Sequence, residues 1–317
     1  MRGKYWASVA AAALLLGAGG LLHVRPAFAT NLWGANYFPN VPLITQDGIT
    51  VRLYDDLLKG KAVAINLIYT SCKEACPLET ARLVQVQRLL GDHVGKDIFF
   101  YSISIDPTHD TPEVLKAYAQ KFGVGPGWLF LTGNEDDIKL VAKKLGLSRP
   151  NDAASRDGHR PMLLIGNEPT GLWTRNSAVA SAKYLATTIG DFMGWERPQS
   201  ERRYTAAQLL PPEAGVLLFQ NRCSACHTIG KGDAVGPDLA GVTSRRDRDW
   251  LVRYLRAPDQ MLAAQDPIAV ALSAKYKDIP MPNLRLSNDE IDMVLSYLEA
   301  QGHAAPERAG QASTSPR

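Results

Sequence analysis

The period of the hydrophobic pattern changes along the chain, and the changes mark its parts. Between residues 62 and 193, apolar runs of strand length alternate with segments of helical period. Ala62–Tyr69 (AVAINLIY) and Ile98–Ile105 (IFFYSISI) are almost continuously apolar, as expected for strands covered on both faces. Pro77–Leu90 places Leu83, Val86 and Leu90 at i, i+3 and i+7, a helical stripe. Thr111-Pro112-Glu113 opens another helix, which runs to about Gly123. Thr111 caps it, Pro112 takes the first position and Glu113 faces the positive end of the dipole. Trp128–Leu131 reads as a short strand and Glu135–Leu145 as a helix closed by Gly146. Met162–Gly166 and Leu172–Arg175 read as a hairpin across Asn167–Gly171, and Val179–Met193 as a last helix. Residues 30–50, with Pro39, Pro42 and the Gln46-Asp47-Gly48 turn, read as an extended lead-in. The alternation predicts an α/β sheet layered with helices.

The pattern then stops. Residues 196–211 are polar and contain Pro198 and Pro211, the composition of a linker. Beyond them only helical segments are expected: Pro212 to Ala225, Asp249 to Ala257, Asp259 to Ala264, and a last one opened by Ser287-Asn288-Asp289-Glu290. That tetrad is a capping box, and Ile291, Val294, Leu295 and Leu298 share one face behind it. The expected organisation is a leader over 1–29, an α/β domain over 30–195, the linker, a small all-α domain over 212–303, and a disordered tail over 304–317.

Composition adds constraints. The 317 residues are 45% apolar and 21% charged, as in ordinary folded proteins. Residues 1–29 carry Arg2, Lys4 and Arg25, no acid, an apolar run from Ala7 to Leu22, and Ala27-Phe28-Ala29, a small-residue cleavage site. This is the layout of a secretory signal peptide, so an exported, periplasmic chain is expected, with an uncleaved membrane anchor as the other reading. The net charge of +3 comes entirely from this leader, which leaves 32 basic and 32 acidic residues. Neither half has the basic excess that a nucleic acid would attract, and no nucleic-acid partner is expected.

Four cysteines form two pairs. Cys223-Ser224-Ala225-Cys226-His227 is C-x-x-C-H: two thiols positioned to add across the vinyl groups of one haem, with the adjacent histidine within reach of the iron. A disulfide or half of a zinc site is the competing interpretation, but no second Cys pair or His cluster follows in this half. The surroundings resemble a class I cytochrome c domain. Gly215 and Phe219 precede the motif, Gly236-Pro237-Asp238-Leu239 follows it, and Ile279-Pro280-Met281-Pro282-Asn283-Leu284 matches the segment that carries the sixth-ligand methionine. Tyr297 falls where the last helix packs an aromatic on the first. The resemblance implies one covalent haem c on Cys223 and Cys226, with His227 and Met281 as axial ligands. Met261 and Met293 are the rivals of Met281; Met293 is expected in the core.

The other pair is Cys72-Lys73-Glu74-Ala75-Cys76-Pro77, between the first buried strand and the first helix. Cysteines at i and i+4 on one face of a helical turn can close a disulfide or share a soft metal, and the helix N-terminus favours thiolates. The sequence around them resembles the SCO/SenC family of thioredoxin-like, copper-handling proteins. The matching elements are Phe38-Pro39-Asn40, Asp47-Gly48, Tyr69-Thr70-Ser71-Cys72 to Cys76-Pro77, Ser102-Ile103-Ser104-Ile105-Asp106-Pro107 and Asp110-Thr111-Pro112-Glu113. The resemblance implies a thioredoxin-like fold and copper held by Cys72, Cys76 and a distant histidine. It also implies a role in assembling the copper centre of cytochrome c oxidase. His159, in Asp157-Gly158-His159-Arg160-Pro161, is the match, although Gly158 and Arg160 replace the family's acid and hydroxyl on either side. His93 and His109 are the rivals and are expected to be solvated. Asp106 either tunes the site or makes a turn with Pro107.

Two thiolates and an imidazole form a soft set suited to Cu(I). The expected function is therefore copper delivery to an oxidase subunit or another cuproprotein, with a fused electron carrier that has its own redox partner. A thiol–disulfide oxidoreductase using Cys72 and Cys76 without stable copper binding is the alternative. A docking module for a respiratory carrier and a peroxidase fit less well, because all three expected copper ligands are present and Thr70 lacks the companion proline of the peroxidase pattern.

Overall fold

The computed structural model describes residues 33–148, 161–195 and 214–304. The first two stretches build a seven-stranded sheet with β1 (Pro42–Thr45), β2 (Thr50–Arg52), β3 (Ala62–Ile68), β4 (Ile98–Ser104), β5 (Trp128–Gly133), β6 (Met162–Asn167) and β7 (Leu172–Ser177). The order is β2-β1-β5-β4-β3-β6-β7. The central β3, β4 and β5 are parallel; β1 joins β5 and β6 joins β3 antiparallel.

The apolar runs of β3 and β4 follow from this placement. Alternate residues of β3 enter two cores: Ala62, Ala64 and Ile68 on one face, Val63, Ile65 and Leu67 on the other. Helices α1 (Ala75–Leu90), α2 (Pro112–Phe122) and α4 (Ala182–Phe192) cover the first face, and α3 (Glu135–Leu145) with the N-terminal segment covers the second. The capping signals hold. The Thr111 side chain accepts from the Val114 N–H, Asn134 from Asp136 and Asp137, and the chain leaves α3 through Gly146.

The lead-in differs from expectation. Instead of being merely extended, it forms the β1–β2 hairpin, with Ile44 opposite Thr50, and continues into a π-helical turn at Leu53–Leu58. The first half's final helix starts at Ala182 rather than Val179, where the Ser181 hydroxyl accepts from the Tyr184 N–H.

The last stretch is helical: α5 (Ala214–Leu218), α6 (Val242–Arg245), α7 (Arg248–Arg256), α8 (Pro258–Ala263), α9 (Pro267–Lys275) and α10 (Asn288–Ala304). The expected single helix from Pro212 to Ala225 is shorter. After Leu218 the chain widens into a π-helical turn over Phe219–Cys223. The α10 capping box is reciprocal: the Ser287 hydroxyl accepts from the Glu290 N–H, and the Glu290 carboxylate accepts from the Ser287 N–H. Helix α5 crosses α10 at Gly215, where a methyl group would lie 2.6 Å from the Met293 carbonyl oxygen. Only glycine permits that approach, and it brings the Phe219 and Tyr297 rings to 5.5 Å, the aromatic contact expected from sequence. No helix among the described residues is long and apolar enough to cross a membrane. The leader, residues 196–213 and residues 305–317 of the tail lie outside the described residues.

Candidate metal and haem centres

The cysteine pair of the first half sits where β3 ends and α1 begins. Cys72 is in the loop, its N–H donating to the Tyr69 carbonyl, and only Cys76 is in the helix. The expectation that both cysteines share one helical turn is therefore corrected. The sulfurs meet because the loop folds back over the helix N-terminus. Cys72 sulfur receives the Cys76 thiol and the backbone N–H groups of Glu74 and Cys76. These donors hold the Cys72 thiol down to a pKa of about 5. Cys76, fully buried and donating to Cys72, is pushed well above its ordinary value. The pair thus carries one shared proton, with the negative charge on Cys72.

A buried carboxylate fixes the loop. Asp110, at 1% exposure, accepts from the Thr70 N–H (3.1 Å), the Thr70 hydroxyl (2.5 Å) and the Ser104 hydroxyl (2.5 Å), tying the start of the loop to the end of β4. Behind the pair, Trp128 donates to the Ser102 hydroxyl, which donates to Asn66, which donates to Glu79, one helical turn beyond Cys76. Burial raises the Glu79 carboxyl to about 8. Sequence reasoning assigned neither Asp110 nor Glu79 a role. Asp110 belongs to the Asp110-Thr111-Pro112-Glu113 segment, but its partners are 6 and 40 residues away.

Asp106 takes the structural alternative. It accepts from the Thr108 hydroxyl and contacts His109 Nδ1 at 2.9 Å, shaping the turn after β4. The two rival histidines are exposed, as expected, and each has one acidic neighbour. His109 is held by Asp106, while His93 pairs with Asp97 at 2.6 Å and stacks on Trp195. His159 lies outside the described residues. Among the described residues, no group of three His, Cys, Asp or Glu side chains is arranged to hold a metal ion.

The second centre is an apolar cleft lined by Cys226, His227, Pro237, Tyr254, Leu272 and Met281, among others. His227 and Met281, 54 positions apart, thus face one space. Met261 packs instead on the core around Trp250 and Leu251. The His227 ring is oriented through Nδ1, which lies 2.9 Å from the Pro237 carbonyl oxygen and donates to it. That contact leaves Nε2 for a ligand, and burial lowers the imidazole pKa, favouring the neutral form an iron requires. A methyl group on Gly236 would lie 2.7 Å from His227 Cε1, so the loop lies flat against the ring only because residue 236 is glycine. Asp238 pins this loop, accepting from the N–H groups of Gly230, Gly232 and Ala240, and these donors lower its pKa to about 2. Cys223 is buried against Phe219, Val294 and Leu298, and burial pushes both motif thiols up to about 12. An oriented neutral imidazole, a facing thioether and two adjacent thiols on an apolar cleft fit a covalently held haem.

The two centres adjoin. Pro77, next to Cys76, is part of the wall of the cleft that holds His227 and Met281. Arg82 of α1, 2% exposed, donates to the carbonyls of Gln220 (2.9 Å) and Asn221 (3.3 Å), and Gln85 donates to that of Ser224 (2.8 Å). The Asn283 N–H donates to the Lys73 carbonyl (3.0 Å), and Arg285 pairs with Glu74. Sequence reasoning missed this seam, since Arg82 and Gln85 read as ordinary polar residues on an amphipathic helix.

Comparison with known proteins gives two domain matches: residues 37–163 match the SCO1/SenC family and residues 212–301 the cytochrome c family. A SCO2-like protein of Rickettsia felis is 39% identical over 102 residues, 32% of this chain and 47% of that protein. The SCO1 protein homolog of Bacillus subtilis is 35% identical over 101 residues, 31% of this chain and 51% of that protein. The chain therefore spans about half the length of the curated relatives it matches. Among solved structures, yeast Sco1 with copper bound is 25% identical over 52% of this chain and 98% of that one, with a TM-score of 0.41.

Proposed function

We propose, on the premise that this chain is an SCO1/SenC domain followed by a cytochrome c domain, that it is an exported copper-handling protein for cytochrome c oxidase assembly with its own electron-transfer domain. The observation that carries the proposal is the geometry of the cysteine pair: Cys72 and Cys76 in hydrogen-bond contact, brought together by a loop at the end of β3 that Asp110 braces. Copper is the cargo. Cys72 and Cys76 supply two soft ligands and His159 the third. The register supports His159. Strand β6 runs antiparallel to β3, with Leu163 opposite Asn66, so β6 begins beside the end of β3 from which the cysteine loop departs. His159 precedes β6 by three residues.

In the second domain Cys223 and Cys226 would hold the haem covalently, and His227 and Met281 would supply ligands to its iron. The haem, when bound, supplies a one-electron redox group. The chain's own residues orient the imidazole, keep it neutral and surround it with apolar side chains. The partners are an oxidase subunit with a copper centre, or another cuproprotein, and a redox partner for the haem. The leader over residues 1–29 directs the chain to the periplasm, by cleavage or as an anchor.

One observation favours a second reading. A stabilised Cys72 thiolate beside a protonated Cys76 is also the asymmetry of a thiol–disulfide reductase, with Cys72 as the nucleophile. An anaerobic Cu(I) titration of the reduced protein, with His159→Ala alongside, separates the two. Copper handling predicts one Cu(I) per pair, bound more weakly in the variant. A reductase predicts no competitive Cu(I) uptake and disulfide exchange indifferent to the substitution.

A further inference from the structure

The residues between the two cysteines are joined to the segment that carries Met281. Lys73 and Glu74 lie inside the Cys72–Cys76 ring that a disulfide or a shared metal closes. The Lys73 carbonyl accepts from the Asn283 N–H at 3.0 Å, and Glu74 pairs with Arg285. Asn283 is two residues from Met281 and is held from the other side, its amide donating to Asp259 of α8 at 2.8 Å. Its side-chain oxygen accepts from the Arg285 N–H at 3.0 Å, so Asn283 and Arg285 form one compact turn. Arg285 has φ of 52°, a left-handed conformation that a non-glycine residue adopts only when its surroundings fix it. Leu284, between them, packs against the core that contains Cys72 and Cys76.

We propose that Glu74, Asn283 and Arg285 are positioning residues that couple the two centres, so that closure of the Cys72–Cys76 ring and ligation by Met281 stabilise one another. Ring closure restricts Lys73 and Glu74, the groups that hold the Met281 segment in place. A segment so held resists displacement of its thioether. Linkage is reciprocal: whatever displaces Met281 weakens the cysteine site by the same factor. The ion pair is mostly exposed on the arginine side, so its contribution to overall stability is small. Its importance is its position, between two ligand-bearing loops. The inference rests on the copper and haem assignments of the preceding subsection.

Carbon monoxide, which displaces a thioether from ferrous haem, reads the coupling directly. The probe is a CO titration followed in the visible spectrum, on the full ferrous protein under anaerobic conditions, with and without one equivalent of Cu(I). Neither metal has a redox partner under these conditions. Copper is expected to lower the CO affinity of the haem, read in its visible bands, at least fivefold, the lower end of typical coupling factors. Arg285→Glu, which places two acids face to face, is expected to reduce the factor below twofold. The charge-swapped Glu74→Arg/Arg285→Glu is expected to restore it. Equal CO affinities in the presence and absence of bound copper would overturn the proposal, as would a coupling factor unchanged by Arg285→Glu. If Cu(I) is not taken up, the copper reading itself fails. The same titration of the Cys72–Cys76 dithiol and disulfide forms then decides the coupling, with a fivefold difference supporting it and none overturning it.

Discussion

Arg82 Nη2 lies 2.9 Å from the carbonyl oxygen of Gln220, so a buried cation on the helix behind the CxxxC loop binds the turn that leads into the CxxCH motif. Carbonyls at the end of a helical segment attract such a cation, and the charge makes each hydrogen bond stronger than a neutral one. Arg82→Ala is expected to weaken the association of the two domains by about 1.5–3 kcal/mol. Denaturant unfolding followed separately by haem absorbance and far-UV circular dichroism checks this, since coincident transitions in the wild type should separate in the variant.

Asp110 holds three donors in a buried site, and replacing it leaves them without their acceptor. Asp110→Ala is expected to destabilise the first domain by about 3 kcal/mol or more. It should also release the loop bearing Cys72, weakening Cu(I) binding. Chemical denaturation and a competition titration with a Cu(I) chelator measure the two effects.

Gly236→Ala forces a methyl group against the His227 ring. A destabilisation of about 1–3 kcal/mol is expected from overpacking. The ring should also tilt away from the Pro237 carbonyl, weakening the axial ligation proposed for His227. Thermal unfolding of the ferric protein and the far-red sulfur-to-iron band report on these separately.

The fold and the two cysteine motifs were legible in the sequence for physical reasons. Ala62–Ile68 and Ile98–Ser104 are apolar on both faces because helices cover both sides of the sheet, and Asn134 and Gly146 mark both ends of α3 with their own chemistry. C-x-x-C-H is legible because haem attachment demands adjacency along the chain. Features that depend on distant partners were not legible. Pro42–Thr45 and Thr50–Arg52 are too short to show a period, and they become strands because β5 offers β1 an edge. Pro267–Lys275 was missed because its sequence, IAVALSAK after Pro267, has no amphipathic stripe. Arg82 finds its acceptors more than 130 residues away, and no local pattern encodes that.

The Cys72 thiol should titrate near pH 5 in the folded protein, seen as a change in thiolate ultraviolet absorbance that is lost in Cys72→Ser. Its folded pKa lies below the value near 8.5 expected in the unfolded chain, so the unfolded chain binds more protons between the two. The stability contributed by this thiolate therefore rises from about pH 5 to about 8.5 and is lost as pH falls through 5. Glu79, raised to about 8, acts in the opposite direction between its unfolded value and pH 8. The difference in unfolding free energy between wild type and Cys72→Ser isolates the cysteine contribution, and it should grow with pH across that window.

The central claim is that Cys72, Cys76 and His159 hold copper in a chain that also carries a haem. X-ray absorption at the copper edge of the Cu(I)-loaded full-length protein tests it most directly. The account predicts a first shell of two sulfur ligands and one nitrogen ligand, with the nitrogen lost in His159→Ala and the sulfurs lost in Cys72→Ser/Cys76→Ser. A copper shell unchanged by those substitutions would contradict it.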